Sequence, residues 1–150
     1  MAEKAQSGTA ARILDVAEAL VQRRGWGAFS YGDIATELDV TTASLHYHFR
    51  GKAALGEVLI GRYAERFGAA LTEIERERPT APLRLRDYAR LYRDVLAGGR
   101  MCLCGILAAE YATLPEPMHA AIVVFFDENV RWLSAVLSQG RAAGEISFGG

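Results

Sequence analysis

The chain has 150 residues, 51% of them apolar and 23% charged, with a net charge of −1. That length supports one moderate core, or a small unit packed on a larger one, and no apolar run approaches the roughly 20 residues that span a membrane. Two cysteines without a secretory start fit a reducing cytoplasm better than a disulfide scaffold, and the near-neutral balance gives no global basic signature for nucleic acid.

The opening segment, MAEKAQSGTA, is polar and lacks the character of a signal peptide. Ile13, Leu14, Ala17, Leu20 and Val21 then mark one face of a helix that Gly25 can end. Ser30, with Asp33 three residues on, opens a short helix whose apolar face is Ile34, Ala35 and Leu38. A tight turn falls at Asp39-Val40, where Asp tolerates a left-handed backbone. Thr41 caps a second short helix through Ala43, Ser44 and Leu45. A long helix starts near Lys52 and stops at Pro79, with Leu55, Leu59, Tyr63, Phe67, Ala70 and Ile74 on one side. Thr80 and Pro82 open the next, which turns Leu85, Tyr88, Tyr92 and Val95 inward and ends at Gly98-Gly99. A shorter helix is expected from about Met101 to Ala112. Pro115 and Pro117 break it and begin a last one reaching about Ala142. No strand-like alternation or internal repeat interrupts this pattern. The predicted fold is all-α.

The segment FSYGDIATELDVTTASLHYHFRGKAAL, residues 29–55, has the length and punctuation of a helix-turn-helix, whose second helix enters the DNA major groove. It resembles the N-terminal domain of tetracycline-repressor-type (TetR) transcriptional regulators. The resemblance rests on Ile34-Ala35, Asp39-Val40-Thr41, Leu45-His46-Tyr47-His48-Phe49 and Lys52, with Arg12-Ile13-Leu14 and Gly25 upstream. It is strong over about the first third of the chain and loose beyond. Asp39 stands where the family usually has Gly, and His46 where it commonly has Tyr, so no base preference carries over. The resemblance implies a three-helix DNA-binding domain over 1–52. A helical effector-binding and dimerisation domain would follow over 53–150, shorter than usual at its C-terminus.

Within the first unit, Thr42, Ala43, Ser44 and His46 are expected nearest the base edges. Methyls of Thr and Ala suit thymine, while His and Ser donate or accept hydrogen bonds. Tyr47, His48, Lys52, Thr41 and Ser30 are expected to position phosphates, Lys52 as a point charge beside a helix N-terminus, and Tyr31 is expected among the DNA contacts. Leu45 and Phe49 read as core. His46 and His48 lack a third ligand at metal spacing, and neither a metal nor a cofactor is expected.

In the second unit Phe67, Tyr88, Tyr92, Tyr111, Phe125, Phe126 and Trp132 can line an apolar effector cavity, or simply be core. Cys102-Leu103-Cys104 follows Arg100 at a helix start, where dipole and cation favour thiolate. The resemblance permits an electrophile-sensing role for these thiols, and burial as small hydrophobes is the plain alternative. The last helix carries one apolar seam at Val123, Phe126, Val130, Leu133 and Leu137. A second face at Met118, Ile122, Phe125, Trp132 and Val136 is interrupted by Asn129.

The expectation is a cytoplasmic, non-enzymatic homodimer: a transcriptional regulator that binds a palindromic DNA operator and releases it on binding a small molecule or electrophile. The rivals are a helical enzyme with Cys102 or Cys104 as nucleophile, which lacks a plausible base because no sequence cue places the remaining histidine, His119, near either thiol, and an interaction module without DNA binding.

Overall fold

The computed structural model describes residues 2–149, with side chains from Gly8 onward. Those residues form seven α-helices and two short 3-10 turns, without a strand. Helix α1 spans Ala2–Arg24 and buries Ile13, Leu14, Ala17, Leu20 and Val21. Arg23 and Arg24 in its last turn suit the negative end of the helix dipole. Gly25 ends it at φ 87°, a conformation that side-chain-bearing residues rarely adopt. A 3-10 turn, Trp26–Ala28, follows and buries the Trp26 ring. No local periodicity announces this turn.

Helices α2 (Tyr31–Leu38) and α3 (Thr42–His48) are the expected pair. Ser30 and Asp33 form the reciprocal capping box: Asp33 N–H donates to Ser30 Oγ at 3.3 Å, and Ser30 N–H to Asp33 Oδ2 at 2.8 Å. Asp39 ends α2 at φ 54°, ψ 48°, the one left-handed non-glycine among the described residues. An L side chain in that region carries strain, though Asp carries less than most. Asp39→Gly is therefore expected to stabilise the fold by about 0.5–1 kcal/mol. In a thermal melt that is a rise of roughly 1–4 °C. An unchanged or lower midpoint would mean that the Asp39 side chain contributes a contact of its own.

Helix α4 (Lys52–Glu77) is the axis of the molecule and buries Leu55, Leu59, Ile60, Tyr63, Phe67, Leu71 and Ile74. Gly56 lets three elements meet on it. A Cβ there would lie 2.5 Å from Trp26 Cη2 and 2.6 Å from Met118 Sδ. Helix α5 (Ala81–Ala97) starts after Thr80, and its first amide is capped by Glu145 Oε2 at 2.7 Å. Its inward residues Leu85, Tyr88, Tyr92 and Val95 are only half-buried, because α5 is covered on one side. Helix α6 (Leu103–Ala109) is shorter than the sequence suggests. Its expected last turn is a separate 3-10 turn, Tyr111–Thr113.

Helix α7 (Glu116–Ala142) packs on α4 and α5 through Met118, Ile122, Phe125, Val136 and Gly140. Asn129 does not interrupt this face. It is buried, donates from Nδ2 to the Phe125 carbonyl at 2.8 Å and accepts from Tyr88 Oη at 3.0 Å. The other face is open: Val123, Val124, Phe126 and Val130 are exposed, Val130 by 61%. The buried cluster runs without a break from Ile13 on α1 to Phe125 on α7, so α4 serves both halves. None of the helices is long and apolar enough to cross a membrane.

Candidate nucleic-acid interface

Helix α3 has two sides of different chemistry. Leu45 and Phe49 are buried and hold it to the core, while Thr42, Ala43, His46 and Tyr47 are exposed. Positions i, i+1, i+4 and i+5 lie together on a helix, so these four residues make one continuous outer stripe. Ser44 and His48 flank it, half-buried. Thr41 fixes the start of the helix, its Oγ1 accepting from the Ser44 N–H at 3.2 Å. Tyr31 fixes the other end, donating from Oη to the Phe49 carbonyl at 3.0 Å, and its ring packs on His46 at 4.8 Å. The expected base-edge residues are thus presented together on a short, braced helix.

Three of the expected DNA contacts also make bonds within the chain. The Tyr31 hydroxyl is spent on Phe49, and burial pushes its pKa up. The Ser30 hydroxyl is spent on Asp33, at 3.1 Å. Lys52 is the clearest case. Its Nζ donates to the carbonyls of Trp26 at 2.5 Å and Phe29 at 2.7 Å, over the faces of both rings. Desolvation lowers its pKa, and the charges of Glu110 and Asp33 act against that. Two of its three N–H bonds therefore hold the chain between α1 and α2, a task that charge and position alone did not reveal. Exposed cationic character near α3 comes from Arg50. The first turn of α4 adds to it, having neither a side-chain cap nor an acidic residue.

The turn Lys52 grips is held from its other side by a residue that the sequence does not mark. Glu110, after α6, accepts from the Trp26 N–H at 2.7 Å and the Gly27 N–H at 3.4 Å. A Cβ on Gly25 would stand 3.0 Å from the same carboxylate. At the other end of α6, Met101 N–H donates to the Gln22 carbonyl at 3.0 Å. Helix α6 is thereby tied at both ends to the unit that carries α3. Partners more than 80 residues apart leave no local signal, so sequence reading missed Glu110.

Of the expected effector residues, Phe67, Tyr88, Tyr92, Phe125 and Trp132 come together. Phe67 and Phe125 centroids are 5.2 Å apart, and Tyr88 stacks on Trp132 at 5.4 Å. Tyr111 is not among them. It sits on the surface, stacked on His119 at 4.1 Å, because α6 ends before it. Phe126 is likewise exposed. The Cys102 thiol accepts from Tyr63 Oη at 3.3 Å. Cys104 is fully buried, and burial pushes its thiol pKa up, which removes it as a reactive thiolate.

This architecture recurs in solved structures. A transcriptional regulator of the TetR family from Agrobacterium tumefaciens superposes with a TM-score of 0.93 over 97% of this chain and 77% of its own, at 31% identity. The chain belongs to the TetR family. Residues 13–59, which contain the helix-turn-helix, match the family model for bacterial regulatory proteins of the tetR family. The HTH-type transcriptional repressor KstR2 of Rhodococcus jostii is 26% identical over 127 residues, which cover 82% of this chain. The chain spans about half the length, 51%, of that curated relative. AibR, solved in complex with isovaleryl coenzyme A and operator DNA, is similar at 25% identity and a TM-score of 0.75, over 93% of this chain and 76% of AibR.

Proposed function

We propose that this TetR-family chain is a cytoplasmic repressor that binds a palindromic operator as a homodimer and releases it when a small molecule binds its helical half. The observation that carries the reading is the outer stripe of α3: Thr42, Ala43, His46 and Tyr47 on one braced face, with Leu45 and Phe49 holding the other side. Base-reading and backbone-positioning groups stand side by side there, in residues 1–52. A dimer follows from geometry, because two recognition helices meet half-sites about 34–36 Å apart. The open apolar face of α7 in residues 53–150 offers a surface for it.

Two features support a binding protein over an enzyme. Cys104 has no accessible thiolate, and His119 Nε2 is engaged with the Tyr111 carbonyl at 2.9 Å. Ligand release fits the aromatic cluster, and AibR supplies the precedent of a relative solved with both an acyl-coenzyme A and operator DNA. The effector need only bind one conformation better than the other.

The test is fluorescence anisotropy with duplexes from the intergenic DNA beside the chain's own gene, across a range of salt, with sedimentation to count protomers. Specific, salt-dependent binding of a dimer supports the reading. Salt-insensitive or absent binding to all such duplexes, or a monomer at micromolar concentration, overturns it. Within that assay Tyr47→Phe should weaken all duplexes alike. Thr42→Ala and His46→Ala should instead shift preference at single base pairs by about 1–3 kcal/mol. A His46→Ala protein that ranks operator variants as the parent does would remove His46 from the base-reading set.

A further inference from the structure

Within the α3 stripe, Ala43 has no side-chain rotamers and Thr42, being β-branched, has few. His46 turns about two torsions, and the placement of its ring nitrogens decides what a base edge would meet. Neither nitrogen is hydrogen-bonded among the described residues. What meets the imidazole is a ring from the other helix of the pair. The Tyr31 and His46 centroids are 4.8 Å apart, with the rings tilted by 54°.

Tyr31 is itself held at both ends. It is the first residue of α2, directly after the Ser30–Asp33 capping box that fixes the backbone there. Its hydroxyl donates to the carbonyl of Phe49 at 3.0 Å, and Phe49 is buried. Burial pushes the hydroxyl pKa up, which keeps it a donor through the neutral range. A side chain with two torsions, tied at its root and its tip, makes a rigid wall. The His46 ring rests on that wall, and its outer edge is exposed.

We propose that Tyr31 is a positioning residue for base recognition: its ring holds the His46 imidazole in one orientation before DNA arrives, and so sets the discrimination at the base pair that His46 meets. The inference rests on the reading of α3 as the DNA-facing helix. A loose imidazole loses its freedom only where it finds the right base; against a wrong one it makes no bond and stays loose. The cost of ordering it therefore falls on the cognate complex alone. An imidazole ordered in advance avoids that cost. Against a wrong base it cannot swing away, and its nitrogens are left desolvated and unpaired. Both effects widen the gap between right and wrong base. A brace that merely supported α3 would act on all duplexes alike.

The probe is the duplex that the parent protein binds in the assay above, with each base pair exchanged symmetrically in both half-sites, and anisotropy is the readout. His46→Ala marks the base pair that His46 reads. Tyr31→Leu, which removes ring and hydroxyl, should lower discrimination at that base pair by about three- to tenfold and leave the others within about twofold. Tyr31→Phe keeps the ring and should keep the discrimination, although it loses the bond to Phe49 and should melt lower. Added to His46→Ala, Tyr31→Leu should change no base preference further. The proposal is overturned, with the repressor reading intact, by three results: unchanged discrimination in Tyr31→Leu, an equal loss in Tyr31→Phe, or an equal loss at every base pair. A His46→Ala protein that ranks the duplexes as the parent does overturns it in the same way. A parent protein that binds no duplex overturns both. If Tyr31→Leu does not fold, the parent protein decides: nuclear Overhauser contacts between the Tyr31 and His46 ring protons should be present in the free protein and persist on the duplex. Their absence in either state overturns the proposal.

Discussion

Lys52→Met should destabilise the fold by about 1.5–3 kcal/mol and leave the salt dependence of DNA binding as it is. Met keeps the stem packed against Trp26 and Phe29 but removes the ammonium, leaving the two carbonyls it joins without their shared donor. Hydrogen bonds from a charged donor are worth about 1.5–3 kcal/mol each, and partial exposure of this side chain holds the sum near one such bond. For a chain of this size the melting temperature should fall by roughly 4–10 °C. A phosphate contact makes the opposite forecast: near-normal stability, and a salt slope reduced by about one. Thermal melts and anisotropy at several salt concentrations, run below the variant's melting range, separate the two. A reduced slope with an unchanged melting temperature would return Lys52 to the DNA-facing set.

The Lys52 result illustrates what sequence could and could not disclose. Features that depend on neighbours within four residues were legible. The Ser30–Asp33 box, the left-handed turn at Asp39, the Thr41 cap and the end of α1 at Gly25 each follow from local chemistry, and each is present. So were the helices with a sustained 3.6-residue period, α4 and α7 above all. The division of α3 into an outer and an inner face was legible for the same reason. What failed was any assignment that needed the far partner. Lys52 read as a free charge because the carbonyls of Trp26 and Phe29 are more than 20 residues away. Asn129 read as a flaw in an apolar face because Tyr88 is on another helix. Tyr111 read as a cavity residue because Ala109 looked mid-helix, whereas α6 stops there. Resemblance to a family supplied the direction of α3 towards DNA; it did not supply these side-chain partners.

The same logic makes Glu110 the residue whose loss should be felt furthest from its place in the chain. Glu110→Ala leaves the Trp26 N–H, bonded at 2.7 Å, without its acceptor, and an unpaired, partly buried amide costs about 1–3 kcal/mol. Glu110→Gln keeps one acceptor oxygen and should lose less than half of that. Glu110 also holds the Trp26 peptide from one side while Lys52 holds the same residue's carbonyl from the other. The two charged groups attract, since the Glu110 charge favours protonated Lys52. Removing both should therefore cost less than the sum of the single losses, by at least about 0.5 kcal/mol. The double-mutant cycle Lys52→Met with Glu110→Ala, measured by urea unfolding, reads that coupling directly. Strict additivity would mean that the two grips act independently. Coupling would mean that the strap from α6 and the start of α4 hold one hinge. That hinge lies where the helical half meets the unit bearing α3, so Glu110→Ala should also weaken operator binding at temperatures where the protein is still folded.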